Sequence, residues 1–500
     1  MIGKSRKVAI AFLMFAMIIP SVRAQHAPDR IQAYKGNGMY WQYKGKPVLL
    51  LGGSSNDNIF QDAFNGGFDE ELDKLVAHGG NYLRCTMSSR DEGNEYPFYK
   101  DHETGLYDLN RWNDRYWEKL EYFLEATKRK DIIVQIEIWA TYDFYTRPWH
   151  VVDGKTAWER NPFNPVNNSN YNESESGMTN VFRSNGQNII NPFFNTVLPI
   201  PQPFDFETRP VVLDYQHKFV DKLLYITLKY DHVLYCMNNE TQADPKWSIY
   251  WAQYVRKKAN EQNLHVEITE MFDPFDPTGG AVEGATMQSP ATHFFTLRSN
   301  VSITLNDPEN FSFIEISNHN AQTGQVHYET AMYVWNKIQE SGIPRPINNV
   351  KIYGADGDVW GGRTQEGIEK FWRNIFAGAA SVRFHRPAWG LGNNPIALGQ
   401  IKGIREFTNA INLFNLKPSN HLLSDREENE AYCLADDEKE FALYFPAKGE
   451  VTLNAPAGKY EARWLNIFSS EWEKSEVLQL PGKIKTPSDG QWAVIIRVHE

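Results

Sequence analysis

The chain has 500 residues, 41% hydrophobic and 23% charged, a balance that builds a sizeable core and excludes collagen-like, low-complexity and wholly disordered chains. Lysine plus arginine total 51 against 62 aspartates and glutamates, and the resulting net charge of −11 disfavours nucleic acid or an anionic membrane surface as the main partner. The length allows two domains or three, because one α/β barrel absorbs roughly 250 residues or more by itself.

In chain order, the first element is a leader. Residues 1–24 carry Lys4, Arg6 and Lys7, an apolar run from Val8 to Ile19 closed by Pro20, and small residues at Val22 and Ala24. That is the pattern of a secretory signal cut after Ala24, and its apolar run is shorter than the ~20 residues that span a bilayer. An exported protein, periplasmic or secreted and without a transmembrane segment after cleavage, is expected. The first cysteine is Cys85, so none stands at the cleavage point for a lipid anchor. With Cys236 and Cys433 it makes an odd set without metal-ligand spacing, and Cys85 and Cys236 read as buried thiols inside apolar runs.

A small hairpin at 40–45 leads into a buried strand at 48–51. Short apolar runs with turn residues at their ends then recur at 81–87, 132–139, 232–237, 264–270, 311–317, 349–353 and 380–384. Helical apolar spacing fills 69–78, 111–128, 212–230, 247–262, 325–340, 364–378 and 397–414, while the stretch between the fifth and sixth strands is Gly-rich and irregular. Eight such repeats predict a (β/α)8 TIM barrel over residues 25–416, with its chemistry at the C-terminal ends of the strands. A long insertion at 143–210, rich in Asn, Pro and aromatics such as Trp149, Trp158, Phe163, Phe182, Phe193 and Phe194, starts at that mouth. It either walls the cleft or packs on the barrel as a lid. From 417 to 500 the pattern changes to period two with Gly, Asn, Pro and Lys between the runs, which predicts a small all-β sandwich.

The sharpest chemical signal is Asn239-Glu240 at the end of the fourth strand. A glutamate there can protonate a glycosidic oxygen while the asparagine binds a neighbouring sugar hydroxyl, and glycoside hydrolysis needs two such carboxyls. Other strand ends supply Glu137 with Trp139, Arg84 with Thr86, and Arg383 with His385, each pair sharing a face by period two. Trp139 suits a sugar platform. Arg84, inside an apolar strand, needs a carboxylate partner. No zinc, phosphate-loop or nucleophile-elbow motif occurs, so no metal and no cofactor is expected.

These residues carry a resemblance. Asn239-Glu240, Arg84 in NYLRC and the entry YKGKPVLLLGG are similar to the retaining glycoside hydrolases of clan A, all TIM barrels. GKPVLLLGG, IFAGAASVRFHRP, and the final YFPAKGEVTLNAPAGKYEARWLN and QWAVIIRV resemble, more narrowly, bacterial apiosidase-like hydrolases with a C-terminal "collagen-binding" sandwich, over nearly all of residues 38–500. The resemblance implies Glu240 as acid/base and a nucleophilic Glu at the end of strand seven. Strand seven departs from this, reading Asn349-Val350-Lys351-Ile352-Tyr353-Gly354-Ala355-Asp356-Gly357-Asp358.

Three explanations stand. Asp356 is a nucleophile on a shifted backbone flanked by Gly354 and Gly357; or a wider gap admits a water, with Asp356 or Asp358 as the base of an inverting enzyme; or Glu270 or Glu315 is recruited from strands five and six. Asp356 is preferred as nearer the cleft, with Arg84, Trp139, Asn239, Glu270, His319 and His385 as substrate-binding candidates. The expected function is a secreted glycoside hydrolase acting on complex, plant-type polysaccharides or oligosaccharides. A catalytically silent carbohydrate-binding barrel is the alternative, and matrix adhesion through the sandwich a third.

Overall fold

Eight apolar runs become eight parallel strands in the computed structural model of the chain, which describes residues 29–144, 151–179, 192–197, 210–241, 244–272, 302–317, 322–356, 362–387, 389–436 and 439–499. They are β1 (Leu50–Gly53), β2 (Tyr82–Thr86), β3 (Ile133–Ala140), β4 (Val233–Asn239), β5 (Ile268–Thr269), β6 (Ile314–Glu315), β7 (Ile347–Ile352) and β8 (Ser381–Phe384). Every residue in them is buried, as parallel strands covered on both faces require. The hydrogen-bonded order is β5-β4-β3-β2-β1-β8-β7-β6. Its two ends meet where Ser312 N donates to Ile268 O at 2.8 Å and Thr269 Oγ1 to Phe313 O at 2.7 Å. The sheet closes into the expected barrel. Between β1 and β2 the backbones approach so closely that a Cβ on Gly52 would lie 2.0 Å from Tyr82 O, which only glycine permits.

The covering helices are α1 (Phe68–Ala77), α2 (Asp114–Arg129), α3 (Pro210–Thr227), α4 (Pro245–Glu261), α5 (Gly324–Ser341), α6 (Thr364–Phe376) and α7 (Pro395–Asn409). α4 and α7 start with proline, which needs no N–H partner there, behind Asp244 and Asn394, whose side chains accept from Lys246 N and Ala397 N. Below the barrel, the hairpin of Asn37–Tyr43 and Lys46–Val48 turns through Lys44 and Gly45, both at positive φ. It sends Trp41 Nε1 to Asn348 Oδ1 on β7, at 2.8 Å.

The described part of the insertion packs on the barrel through its aromatic residues. Phe193 stacks on Phe144 with centroids 4.1 Å apart and meets Phe163 and Trp139, while Phe194 meets Trp247 of α4. Trp149, Phe182, the leader at 1–24 and most of the Gly-rich stretch between β5 and β6 lie outside the described residues.

From Lys417 the chain forms an antiparallel sheet. Its strands alternate between two cores. Tyr432, Leu434, Tyr444, Leu465 and Ile495 join the barrel's hydrophobic cluster, while Cys433, Leu443, Phe445, Trp464 and Ile496 enclose the sheet's own core. The long strand Glu450–Asn466 serves both regions of the sheet, with a register shift between Leu453 and Gly458. Against the barrel, Tyr444 stacks on Trp372 of α6, Tyr432 meets Tyr328 of α5, and Gln400 of α7 donates to Ile467 O. α6 is consequently buried at every residue from Gly367 to Phe376. A chain ending at Leu416 exposes that apolar face and is expected to aggregate. A monodisperse, folded barrel in size-exclusion chromatography would show the two parts to be independent.

Candidate active site

The barrel interior is polar, and its polar groups are paired in layers. Lowest, Tyr82 OH donates to Gln135 Oε1 at 2.6 Å, Asn348 Nδ2 reaches both, and Gln135 Nε2 donates to Glu315 Oε2 at 3.1 Å. Above, Arg84 donates to Glu137 at 2.6 Å and pairs with Asp57 at 3.0 Å. Asp57, in the loop after β1, is the hub of this layer. Arg90 stands 2.9 Å from it, His385 Nδ1 3.4 Å, and Arg383 and Arg386 each 3.5 Å. Burial would raise its carboxyl, but Arg84, His385, Arg386 and Arg383 outweigh that and hold it well below the usual range.

Glu240 follows β4 with φ +58°, a left-handed backbone that turns its side chain back into the barrel mouth. Both carboxylate oxygens are occupied. Tyr142 OH donates to Oε2 at 2.6 Å, and Lys351 Nζ of β7 donates to Oε1. The same ammonium donates to Asn239 Oδ1 at 2.7 Å. Burial pushes the Glu240 carboxyl up, but the charge and hydrogen bond of Lys351, the Tyr142 hydroxyl and the charge of Arg84 pull it below the usual range. The pair is screened from water, with Lys351 only 2% exposed and Glu240 12%.

The sequence candidates are placed as follows. Arg84, Asn239 and His385 stand at the site. His385 stacks on Tyr353 at 4.7 Å, and burial, helped by Arg84, Arg383 and Lys351 against the pull of Asp57, keeps it well below the usual histidine range.

The strand-seven group in contact with Glu240 is Lys351, and not the expected Asp356. The register of β7 against β8 shifts between Asn349 and Ile352, so Asn348 and Lys351 both turn inward although period two puts them on opposite faces. Beyond the strand, Gly354 turns with φ +129° and packs so tightly on α6 that a Cβ would lie 2.4 Å from Gly367 N. Asp356 is thereby exposed, and its Oδ1 accepts from Thr364 N at the start of α6. Among the described residues no contact joins it to Glu240.

Trp139 is a correction. Two residues after Glu137, it packs not into the mouth but among Phe193, Phe219, Trp247 and Trp251, 3% exposed. It is a core ring between barrel and helices.

Glu270 faces β4, accepting from Asn238 N and Nδ2 and from Met271 N at 2.6–2.9 Å. Glu315 accepts from Ser317, Gln135 and Val350 N. His319 and Asp358 lie outside the described residues, and so does Gly357. The cysteines are free and buried. No group of described residues could hold a metal ion.

Burial pushes both Glu270 and Glu315 from the ordinary 4.5 up to about 7. A carboxyl whose folded pKa is raised binds its proton more tightly when folded. Stability from these two is therefore full below about 4.5, declines as pH rises through about 7, and is level above it. The urea midpoint should fall between pH 5 and pH 8, and Glu270→Gln should flatten that fall. An equal fall in the variant would remove Glu270 from the effect.

The sequence matches no protein-family model and no curated protein. Among solved structures the chain is similar to a glycoside hydrolase family 5 protein from Bacteroides vulgatus, with TM-score 0.60 and 11% identity over 94% of this chain and 92% of that one. It is also similar to a protein described as a glycoside hydrolase, with TM-score 0.58 and 10% identity over 94% and 97% of the two chains. At such identities the likeness establishes the shared fold, a TIM barrel followed by an all-β unit.

Proposed function

We propose that the chain is an exported glycoside hydrolase that cleaves O-glycosidic bonds of complex, plant-type polysaccharides or oligosaccharides at a site centred on Glu240. The observation that carries this reading is a near-buried carboxylate at the end of β4, turned into the mouth and gripped by Tyr142 and Lys351. Support comes from the two similar structures, both glycoside hydrolases. The leader at 1–24 supports export, and the finer likeness to apiosidase-like hydrolases is part of the same proposal.

One observation favours a second reading, carbohydrate binding without turnover: an ammonium, not a carboxylate, faces Glu240 from β7. Reducing-sugar release on a panel of plant polysaccharides and oligosaccharides separates the two. Turnover supports the hydrolase, while saturable binding without release supports the silent barrel. Neither would overturn both.

A further inference from the structure

We infer that Asn429 of the all-β unit is a positioning residue for the barrel mouth, acting through α6 to set the segment 353–356 that follows β7. The inference goes beyond the hydrolase reading, because it says what the all-β unit does for whatever the mouth binds.

Asn429 lies in the loop between the strands Leu423–Ser424 and Tyr432–Ala435. In a β/α barrel each helix starts on the side where the preceding strand ends, so α5 and α6 begin near the mouth. The loop holds both. Gln325 Oε1, in the first turn of α5, accepts from Arg426 Nη2 at 2.7 Å and from Asn429 N at 3.3 Å. Asn429 Oδ1 accepts from Arg373 Nη1 of α6 at 3.2 Å and from Tyr432 OH of its own unit at 2.7 Å. Arg373 is fully buried and reaches back along α6 to Glu369 at 3.2 Å and Glu366 at 3.4 Å. A buried guanidinium needs such partners, so the all-β unit completes a charge cluster on the first turns of α6.

A neighbouring face of the same turns holds the mouth. Thr364, Gly367 and Lys370 stand three apart and so share one side of the helix. Thr364 N donates to Asp356 Oδ1 at 3.2 Å, a Cβ on Gly367 would lie 2.4 Å from Gly354 O, and Lys370 Nζ donates to Tyr353 O at 3.4 Å. Backbone packed on backbone at Gly354 and Gly367 leaves no slack, and a close-packed contact transmits a shift of α6 to the segment. Within that segment Tyr353 stacks on His385 of the site, and Gly354 N donates to Trp389 O at 3.0 Å. Asn429 is thus joined to the mouth by one unbroken run of contacts. It is a positioning residue because it acts only through α6.

The experiment compares the full chain with Asn429→Gly. Glycine suits the φ of +58° at this position, and Arg373 keeps both carboxylates, so the fold is kept. Hydrogen–deuterium exchange, read by mass spectrometry on peptides within 347–356 and 362–373, should quicken by about tenfold or more, as expected for a lost hydrogen bond to a charged group. Peptides of α1 should exchange as in the wild type. Asn429→Asp, which keeps an oxygen for Arg373 and Tyr432, should restore the protection. On any glycan of the panel above that the wild type cleaves, Asn429→Gly should also raise KM. Unchanged exchange in these peptides, acceleration that reaches α1 equally, or an unmoved KM overturns the inference. A chain that cleaves nothing on the panel but shows the local acceleration, reversed in Asn429→Asp, overturns the hydrolase reading and leaves this inference standing.

Discussion

Substituting Asp57 by alanine is expected to destabilise the protein by about 3–5 kcal/mol, the range for deleting one member of a buried ion network. Asp57 and its partners Arg84, Arg90 and Arg383 are each no more than 4% exposed, so its removal leaves buried guanidinium charge that water cannot reach. Arg84 keeps Glu137, and Arg383 keeps Val350 O and Ser54, which is why the loss is a few kcal/mol and not the whole fold. Urea unfolding measures it, and a change under about 1 kcal/mol would show that Asp57 does not organise the layer. The exposed pair Lys44–Asp131 is the control, and its disruption should shift the midpoint little.

Glu240→Gln is expected to reduce turnover by about 10²–10⁴-fold, the usual contribution of a positioned proton-transfer group, with the unfolding midpoint near that of the wild type. The amide keeps the size of the side chain and can still accept from Tyr142 or Lys351 through its oxygen, so the architecture has a substitute for the bonds it loses. Near-normal turnover would remove Glu240 from the chemistry. A collapse of stability in place of activity would make it a structural ion pair.

The eight strands were legible because each is a short run buried on both faces, which leaves a nearly continuous apolar string between turn residues. The end of the barrel and the change to period two were legible for the same kind of reason, since the final strands divide alternate residues between two cores. The site was less legible, because strand ends lose the alternation on which face assignment depends. Trp139 shares parity with Glu137 and still packs among the helices, and Lys351 shares the barrel interior with Asn348 across a register shift. The strand-seven contact of Glu240 therefore comes from Lys351, ahead of the aspartates. A signal for Lys351 was present: the argument that singled out Arg84, a cation inside an apolar strand in need of a carboxylate, applies to it unchanged. Asp57 and Tyr142 carry no such mark, since Asp57 sits in a loop and Tyr142 in a short 3-10 turn after β3, both placed only by the folded barrel.

The contact between Lys351 and Glu240 has an evolutionary meaning as well. Lysine and glutamate codons differ by a single base in the first position, so one point mutation exchanges the facing ammonium for a facing carboxylate. Two carboxylates that close cannot both remain ionised, and one of them must take up a proton. One nucleotide step at position 351 thus changes the protonation of Glu240, with the strand, the loops and the all-β unit unaltered.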